Sequence, residues 1–581
     1  MNIRNFYPYL KPYKRSFIII PLFVLIDVVC EISQPRLMSA VVDGGILNKD
    51  LHYVLKTGLA MIGLALVAIL ANLGNIYYSS AASVGFVTSL RRGLFYKIQT
   101  FSFADTDYFS SASLTTRITN DANVLQQVLM MSLRMLLRAP LMLIFAVVFA
   151  IMINKELALV LAFSIPVLAI SIYLLLRKGL PYFIKMQKRV DRLNATVQEN
   201  LLNVRVVKAF VRQDFEKEKF EKVNTDLMTI AEKASGIVIM IMPVMQLIMG
   251  ISLVAVTWFG GQKVMAGSLP LGGLMSFLSY IAQILIALMI LSMTFMMLSR
   301  AIASGDRIEE VLLKASSLTN TPGAAEKGLK VKHGSIRFDH VSFRYSAGSE
   351  KANLEHISFD IEAGSTVAII GGTGSGKSTL VQLIPRLYDV SSGAVCIDGV
   401  NVKDYTLAEL RSSIGIVLQQ NQLFSGTIYD NLKWGDPNAS EAEITEAARI
   451  ASADDFIRSF PDGYQTMLGQ GGVNLSGGQK QRICIARTLL KKPAILILDD
   501  STSALDITTD RNIREGLDKY LSNTTVLIIA QRISSVQHAD KIIVLDEGRV
   551  AGMGQHASLL NDNAIYQEIY QSQYLNKEET V

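Results

Sequence analysis

Cysteine and charge are both scarce in this sequence of 581 residues. The three cysteines, Cys30, Cys396 and Cys484, form no C-x-x-C pair. This excludes a disulfide framework and a cysteine zinc site, and we expect buried, inert thiols. Charged residues make up only 18% of the chain, hydrophobic residues 50%, and the mean hydropathy of +0.33 is high for a soluble protein. Much of the net charge of +6 lies beside apolar segments, so we expect no nucleic-acid partner.

Long apolar runs are concentrated in roughly the first half of the chain. Each is long enough to cross a hydrocarbon core of about 30 Å as a helix. The first run lacks an A-x-A-like cleavage site and other runs follow it, which favours a membrane span over a signal peptide. We therefore predict a six-span α-helical membrane domain over residues 1–314. The six predicted spans are 17–39, 56–80, 131–153, 157–176, 236–259 and 273–298.

Lysine and arginine are concentrated in alternate connections between these runs. The other connections are short and carry only Lys49, Lys155 and Lys263. The positive-inside rule then predicts a multi-pass protein of the cytoplasmic membrane with both termini in the cytoplasm. Two long cytoplasmic stretches, about 81–130 and 177–235, are predicted to continue the helices by about 35 Å or more.

The pattern changes after a linker at 315–329, which is rich in Ser, Thr, Pro and Gly. From residue 330 to 581, short β-rich runs alternate with helical ones, as in a soluble α/β domain. One β-rich run, "STVAII", leads directly into "GGTGSGKST", which fits the phosphate-loop pattern G-x-x-x-x-G-K-[ST]. We predict a nucleotide-binding domain whose phosphate loop consists of Gly371, Gly372, Thr373, Gly374, Ser375, Gly376, Lys377, Ser378 and Thr379.

The residue types around this loop favour ATP with Mg²⁺. Backbone amides of the loop form an anion cradle at a helix N-terminus, and Lys377 is placed to reach the β- and γ-phosphates. Ser378 and Asp499, at the end of the apolar run "AILILD", are predicted to coordinate the metal. Tyr345, shortly before the loop, offers a flat ring on which adenine can stack.

A second anion site is predicted in "LSGGQKQR", where serine and glycines open another helix. One nucleotide does not normally occupy two such cradles of a single small domain. We therefore predict a head-to-tail dimer, in which this motif closes on the γ-phosphate bound by the other subunit. The residues concerned are Leu475, Ser476, Gly477, Gly478 and Gln479.

Together these motifs resemble those of the ABC transporter family, and among them the six-helix exporter half-transporters of the type IV fold. The resemblance covers almost the whole chain. It implies an ATP-hydrolysing translocase, in which Gln419 of "IVLQQNQLF" joins the Mg²⁺ ligands. Residues Leu475–Gln479 are the signature of the family, and Asp506 of "SALD" belongs with this signature, which faces the partner's ATP. It also implies that stretches 108–125 and 197–216 carry the coupling helices between the nucleotide domains and the membrane.

Two positions in the nucleotide pocket depart from the family pattern. The family has Glu as general base after the magnesium Asp, whereas this chain has Asp500. The family has His before an Arg that corresponds to Arg532 here, whereas this chain has Gln531, which can donate a hydrogen bond but cannot relay a proton. Gln470 is a third departure, since the family favours Glu near this position in a stretch that contacts the cytoplasmic helices.

These departures predict a site that binds ATP but hydrolyses it poorly, as in heterodimeric exporters with one degenerate site. The expected partner is a different half-transporter that carries Glu and His, and the intact signature of this chain completes the partner's site. A slow homodimer that exports lipids or peptides, and an ATP-gated channel or regulator, remain alternatives. A soluble DNA-repair ATPase with an LSGGQ-like motif is disfavoured by the six spans.

The substrate is less clearly indicated. Asp27 and Glu31 share one face of the first span, where they attract a small cationic amphiphile or pair with Arg36, Arg138 or a partner group. Methionines of the sixth span, among them Met289 and Met293, suit a promiscuous cavity but equally suit ordinary packing or lipid contact. Export of drugs or lipid-like compounds is the leading prediction.

Overall fold

A computed structural model of the chain describes residues 2–345, 351–501, 505–521 and 523–574. It divides into two compact units. The first comprises Met1–Gln99 and Ala112–Lys314, and the second comprises Thr100–Ser111 and Ala315–Val581. The sequence-based division leaves residues 100–111 with the membrane helices, whereas in the structure this segment packs with the second unit.

The first unit is helical, and its longest helices run far beyond the predicted spans. Among the described residues, six helical stretches are long and apolar enough to cross a membrane: Ile3–Ile46, Leu51–Gln99, Ser111–Ile153, Lys155–Leu202, Gln213–Met265 and Leu271–Leu291. The helices up to residue 313 are α1 Ile3–Leu10, α2 Lys14–Ala40, α3 Leu51–Gln99, α4 Phe103–Phe109, α5 Ser111–Thr116, α6 Ala122–Met131, α7 Arg138–Ile153, α8 Lys155–Leu202, α9 Val204–Ala209, α10 Gln213–Ile239, α11 Ile241–Met265 and α12 Leu271–Leu313. Of these, only α4 lies wholly in the second unit.

The face of α2 that packs in the bundle follows the helical repeat. Ile20, Val24, Val28 and Ile32, each four residues apart, are at most 1% exposed. Towards the end of the helix, Pro35 has no N–H to donate to the preceding turn. In this stretch the Tyr280 hydroxyl of α12 donates to the Ile32 carbonyl at 2.8 Å. Packing and polar contacts therefore hold α2 against α12.

The second unit contains two larger sheets and a two-stranded pair. The six-stranded sheet has the order β12-β11-β3-β10-β9-β6 and is parallel except for β12, while the four-stranded sheet, β2-β1-β4-β5, is antiparallel. The strands are β1 Ile336–Phe343, β2 Leu354–Ile361, β3 Thr366–Gly371, β4 Ser392–Ile397, β5 Val400–Asn401, β6 Ile414–Val417, β7 Gly426–Thr427, β8 Met467–Leu468, β9 Ile495–Asp499, β10 Thr525–Ile529, β11 Lys541–Asp546 and β12 Arg549–Gly554.

Helices surround these sheets, and a one-turn helix interrupts the predicted linker. The remaining helices are α13 Ala324–Lys327, α14 Lys377–Leu383, α15 Leu407–Ser412, α16 Ile428–Lys433, α17 Glu441–Ile450, α18 Asp454–Arg458, α19 Gly477–Leu490, α20 Ile507–Tyr520, α21 His556–Asp562 and α22 Ala564–Tyr574. Strand β9, which lies between β10 and β6, is buried along its whole length, as its unbroken apolar run requires in a parallel sheet covered on both faces. The predicted fold class, apolar spanning helices followed by an α/β domain, is confirmed.

Candidate functional site

The parallel sheet brings the predicted nucleotide residues to one edge. In the strand register, Ile529 at the end of β10 lies beside Asp499 of β9 and beside Ile369 of β3. Since the strands run in the same direction, the segments that follow them leave at the same edge, where open α/β sheets bind ligands. These segments are the phosphate loop after β3, Asp500 after β9 and Gln531 after β10.

A cavity of about 300 Å³ lies at this edge, and it collects most of the predicted residues. It also includes two residues that sequence reasoning missed. Asn353 lies just before β2, and Ile529 is an apolar residue at a strand end. The lining residues are Asn353, Thr373, Gly374, Gly376, Lys377, Ser378, Thr379, Gln419, Asp499, Asp500, Ile529 and Gln531.

The phosphate loop requires glycine at specific positions. Gly374 and Gly376 have left-handed backbones, with φ of 81° and 95°. A Cβ on Gly371 would lie 2.1 Å from the Leu545 carbonyl oxygen, so no side chain fits there. The Lys377 ammonium donates to the carbonyls of Gly371 and Gly372 at 2.8 and 2.7 Å. Burial lowers its pKa, and the charges of Asp500 and Asp499 partly offset this effect.

The residues predicted to hold Mg²⁺ have suitable chemistry and are close together. The Ser378 hydroxyl donates to Asp499 Oδ1 at 3.0 Å, and Gln419 lines the same cavity. Burial raises the pKa of Asp499, as does the Asp500 charge, while the Ser378 hydrogen bond and Lys377 lower it. Hydroxyl, amide and carboxylate oxygens are the donors that Mg²⁺ prefers, so this set fits the ion.

The two residues that depart from the family pattern contact each other. The Gln531 side-chain amide donates to Asp500 Oδ2 at 3.1 Å. Asp500 has a left-handed backbone with φ of 48°, and its N–H donates to the Ile529 carbonyl at 3.0 Å. Gln573 of α22 donates to the Gln531 carbonyl at 2.7 Å. The carboxylate that follows the metal Asp is therefore held towards an uncharged amide.

Tyr345 is positioned as an exposed aromatic next to the loop. Its ring is 48% exposed, and its hydroxyl lies 3.0 Å from Thr379 Oγ1. The ring meets Phe343 and Tyr388 edge to face, at centroid distances of 4.9 and 5.2 Å. Sequence reasoning missed Tyr388, whose hydroxyl also donates to Asp107 Oδ2 in the 100–111 segment at 2.8 Å. An aromatic group therefore links the predicted adenine stacker to that segment.

The signature residues lie at the start of α19. Ser476 caps the helix, because its hydroxyl accepts from the Gln479 N–H at 3.3 Å and the Gln479 side chain accepts from the Ser476 N–H at 2.9 Å. Leu475 is buried, whereas Ser476 and Gly477 are exposed. None of the signature residues is among those lining the cavity at the phosphate loop. Asp506, also exposed, caps α20 through the Thr509 N–H at 3.0 Å.

In the membrane unit, the two carboxylates of α2 are paired with Arg138 of α7. Its Nη2 donates to Glu31 Oε2 at 2.5 Å, and its Nε lies 3.4 Å from Asp27 Oδ2. Arg36 lies elsewhere, with its guanidinium 5.9 Å from the centre of the Phe149 ring. Met289 packs against the helical core, and the side chain of Met293 lies outside the described residues.

Comparisons with known proteins agree with this architecture. The family model described as ABC transporter transmembrane region matches residues 17–289, and the model described as ABC transporter matches residues 354–503. The chain is 42% identical to the uncharacterized ABC transporter ATP-binding protein YfiB of Bacillus subtilis, over 97% of this chain and 98% of that protein.

Two further relatives have more informative descriptions. The ATP-dependent lipid A-core flippase of Chromobacterium violaceum is 31% identical, over 98% of this chain and 97% of the flippase. A solved structure described as a bacterial Atm1-family ABC exporter with ATP bound superposes with a TM-score of 0.79 at 27% identity. It covers 97% of this chain and 98% of that one.

Proposed function

Because this chain belongs to the ABC transporter family and has the fold of an ATP-hydrolysing exporter, we propose that it is the slow-site half of a heterodimeric exporter. Its own pocket binds ATP and hydrolyses it poorly, and its signature completes the fast site of a different half-transporter. The observation that carries this proposal is the contact of 3.1 Å between Gln531 and Asp500.

The physical reason is reach. Asp is one methylene shorter than Glu, which withdraws the carboxylate by about 1.5 Å. A general base must lie within about 2.6–3.2 Å of the proton that it abstracts. In this pocket the short carboxylate also accepts a hydrogen bond from Gln531 at 3.1 Å, which holds it towards the amide. Gln531 has no titrating group with which to compensate.

The binding functions of the pocket are intact. Lys377 supplies a positive charge for the β- and γ-phosphates, and the amides of the glycine loop bind phosphate oxygens. Ser378, Gln419 and Asp499 would hold Mg²⁺, which neutralises phosphate charge when it is bound. Tyr345 supports the adenine ring. The site therefore retains what it needs to bind MgATP.

The capped and exposed N-terminus of α19 supports the second part of the proposal. Ser476 and Gly477 present the start of the helix to the outside of the domain, away from the cavity of their own phosphate loop. A nucleotide on another subunit can meet this surface. The partner then needs Glu and His at the positions equivalent to Asp500 and Gln531, since its site must carry the hydrolysis.

We also propose the topology and the cargo. The distribution of lysine and arginine supports cytoplasmic termini in a cytoplasmic membrane. The helical bundle is apolar with a few ionised groups, which supports a small amphipathic cargo. This cargo is exported from the cell, and membrane lipid surrounds the bundle. Drugs and lipid-like molecules fit this description.

The test is the ATPase activity of the purified full chain, alone and co-expressed with a candidate half-transporter. We expect little activity alone, and a one-to-one complex that hydrolyses ATP. A stable homodimer of this chain with full activity would overturn the proposal.

A homodimeric lipid flippase is the second candidate, favoured by the two lipid A-core flippases that are 31% and 32% identical to this chain. It predicts that the chain alone moves labelled lipid between leaflets with ATP. The heterodimer predicts movement only with the partner present. Accumulation of cargo against a gradient in vesicles would separate either pump from an ATP-gated channel.

A further inference from the structure

The ion cluster at Asp27, Glu31 and Arg138 is unbalanced. Two carboxylates share one guanidinium, so the cluster has a formal charge of −1 when all three groups are ionised. Glu31 takes the short contact of 2.5 Å, while the Asp27 contact to Arg138 is 3.4 Å. Arg138 Nε, the atom nearest Asp27, has no hydrogen-bond partner among the described residues. Arg138 therefore satisfies mainly one carboxylate.

Asp27 is the more weakly paired carboxylate, since its contact with Arg138 is 3.4 Å. Its side chain is only 6% exposed, and no hydrogen bond to it is found within the described residues. Among the described residues, Arg134 forms no ion pair with either carboxylate. Arg36 lies over the Phe149 ring. An ionised group inside a membrane span costs roughly 2.5–3.5 kcal/mol even on insertion scales, so it is expected to face protein or a cavity.

The cluster is accessible from one side. The side chains of Glu31 and Arg138 are 35% and 31% exposed in the single chain. Both belong to helices long and apolar enough to span a membrane, where charges do not face lipid. Their open side must therefore face a partner or a cavity.

Aromatic rings lie beside this face of α2, and α3, which carries two of them, also offers a buried acceptor. Phe23 lies one helical turn before Asp27, and its ring stacks on Tyr78 of α3 with centroids 5.9 Å apart. Tyr77 meets Tyr78 edge to face at 5.3 Å. Asn75, which lies on α3 with Tyr77 and Tyr78, is 4% exposed, and its side-chain oxygen accepts no hydrogen bond from the described residues. Excess acceptors, a net negative charge and aromatic rings all favour a cation with an apolar body.

We propose that Asp27, Glu31, Phe23 and Tyr78, with Arg138 as a fixed counter-charge, bind an amphiphile that carries one positive charge. This inference names the cargo class of the proposed exporter and rests on that function. Arg138 compensates one of the two carboxylate charges, and the bound cation compensates the other. A neutral or anionic molecule of the same size gains nothing from the remaining carboxylate.

The test is equilibrium binding to the full chain in lipid nanodiscs without nucleotide, in whichever assembly it purifies. The probes are tetraphenylphosphonium and tetraphenylborate, which have similar size and opposite charge. We expect the wild type to bind the cation more tightly than the anion. Glu31→Gln keeps an oxygen for Arg138 but removes the excess charge, and it should weaken cation binding at least tenfold. Asp27→Asn should do the same.

Glu156→Gln is the matched control, because Glu156 is 75% exposed and pairs with Lys263 outside the cluster. It should bind the cation as the wild type does. The proposal is overturned if the wild type binds no tetraphenylphosphonium, if it prefers the anion, or if Glu31→Gln and Glu156→Gln bind the cation equally. The wild-type comparison decides even if a variant does not fold. Since no hydrolysis is measured, a failure of the slow-site proposal would show separately in the ATPase assay.

Discussion

Restoring the family residues in the nucleotide pocket should switch on hydrolysis at this site. The change is Asp500→Glu together with Gln531→His. The residues that we propose to hold Mg²⁺ and phosphate line the same cavity, so only the base and its neighbour need to change. A misplacement of about 1 Å at a reacting centre can cost on the order of 10² in rate, and about 1.5 Å separates the two carboxylate positions. We therefore expect an increase in kcat of about 10², or about 2.7 kcal/mol of barrier.

The contact between Asp500 and Gln531 makes the two changes interdependent. With Asp500→Glu alone, the longer carboxylate still accepts a hydrogen bond from the Gln531 amide. With Gln531→His alone, the carboxylate stays short. Each single variant should therefore gain less than half of the logarithmic increase, since residues that act as a unit are not additive. A titrating His has an ordinary pKa of about 6.5. The hydrolysis rate of the double variant should therefore change with pH near that value, whereas the rate of the wild type should not.

The assay is steady-state and single-turnover ATP hydrolysis by the chain purified alone, so that both pockets in any dimer are of this type. Asp518→Glu on α20 is the control, because it adds the same methylene at an exposed position. It should leave the rate unchanged. If the double variant binds ATP normally and its rate stays at the wild-type level, reach is not what limits this pocket and the reasoning fails.

Three further outcomes are expected. Lys377→Ala should weaken nucleotide binding at least tenfold in a fluorescent-nucleotide titration, because it removes the charge that meets the phosphates, whereas the exposed Lys327→Ala should not. Tyr388→Phe should accelerate hydrogen exchange in residues 103–109, since it deletes the hydrogen bond to Asp107, which contributes about 1 kcal/mol. Burial raises the pKa of Asp398, but backbone donors from residues 332–335 outweigh it and hold the pKa below its ordinary value. Asp398→Asn should therefore lower the unfolding free energy by about 1–2 kcal/mol at pH 7, and this difference from wild type should shrink as the pH falls below about 4 in thermal denaturation.

Much of the nucleotide site could be predicted because its residues follow strands. Runs such as "STVAII" and "AILILD" are recognisable as buried parallel strands, and parallel strands end at a common edge. The proximity of Lys377, Ser378 and Asp499 follows from that rule alone. Asn353 could not be found in this way, because it precedes a strand of the other sheet.

Contacts between distant side chains were beyond the sequence. Both Arg36 and Arg138 were candidates to pair with Glu31, and nothing in the spacing of α2 chooses between them. The choice depends on how α2 and α7 are rotated against each other, which is a property of the packed bundle. The attachment of residues 100–111 to the second unit is similar. It depends on the Tyr388 hydroxyl and on Asp105, which accepts from the Ser317 N–H at 3.0 Å.

The intact signature and the altered base position constrain each other. If this chain only bound ATP and served no second site, the exposed Ser476 and Gly477 at the start of α19 would meet no nucleotide. If it were an efficient homodimer, every signature would face a pocket with a short carboxylate bonded to Gln531. An intact signature and an altered base position both fit a role in hydrolysis only when the signature faces a pocket on a different chain. These two features of a single chain are therefore the reason why we propose two unlike ATP sites, with hydrolysis on the partner's phosphate loop.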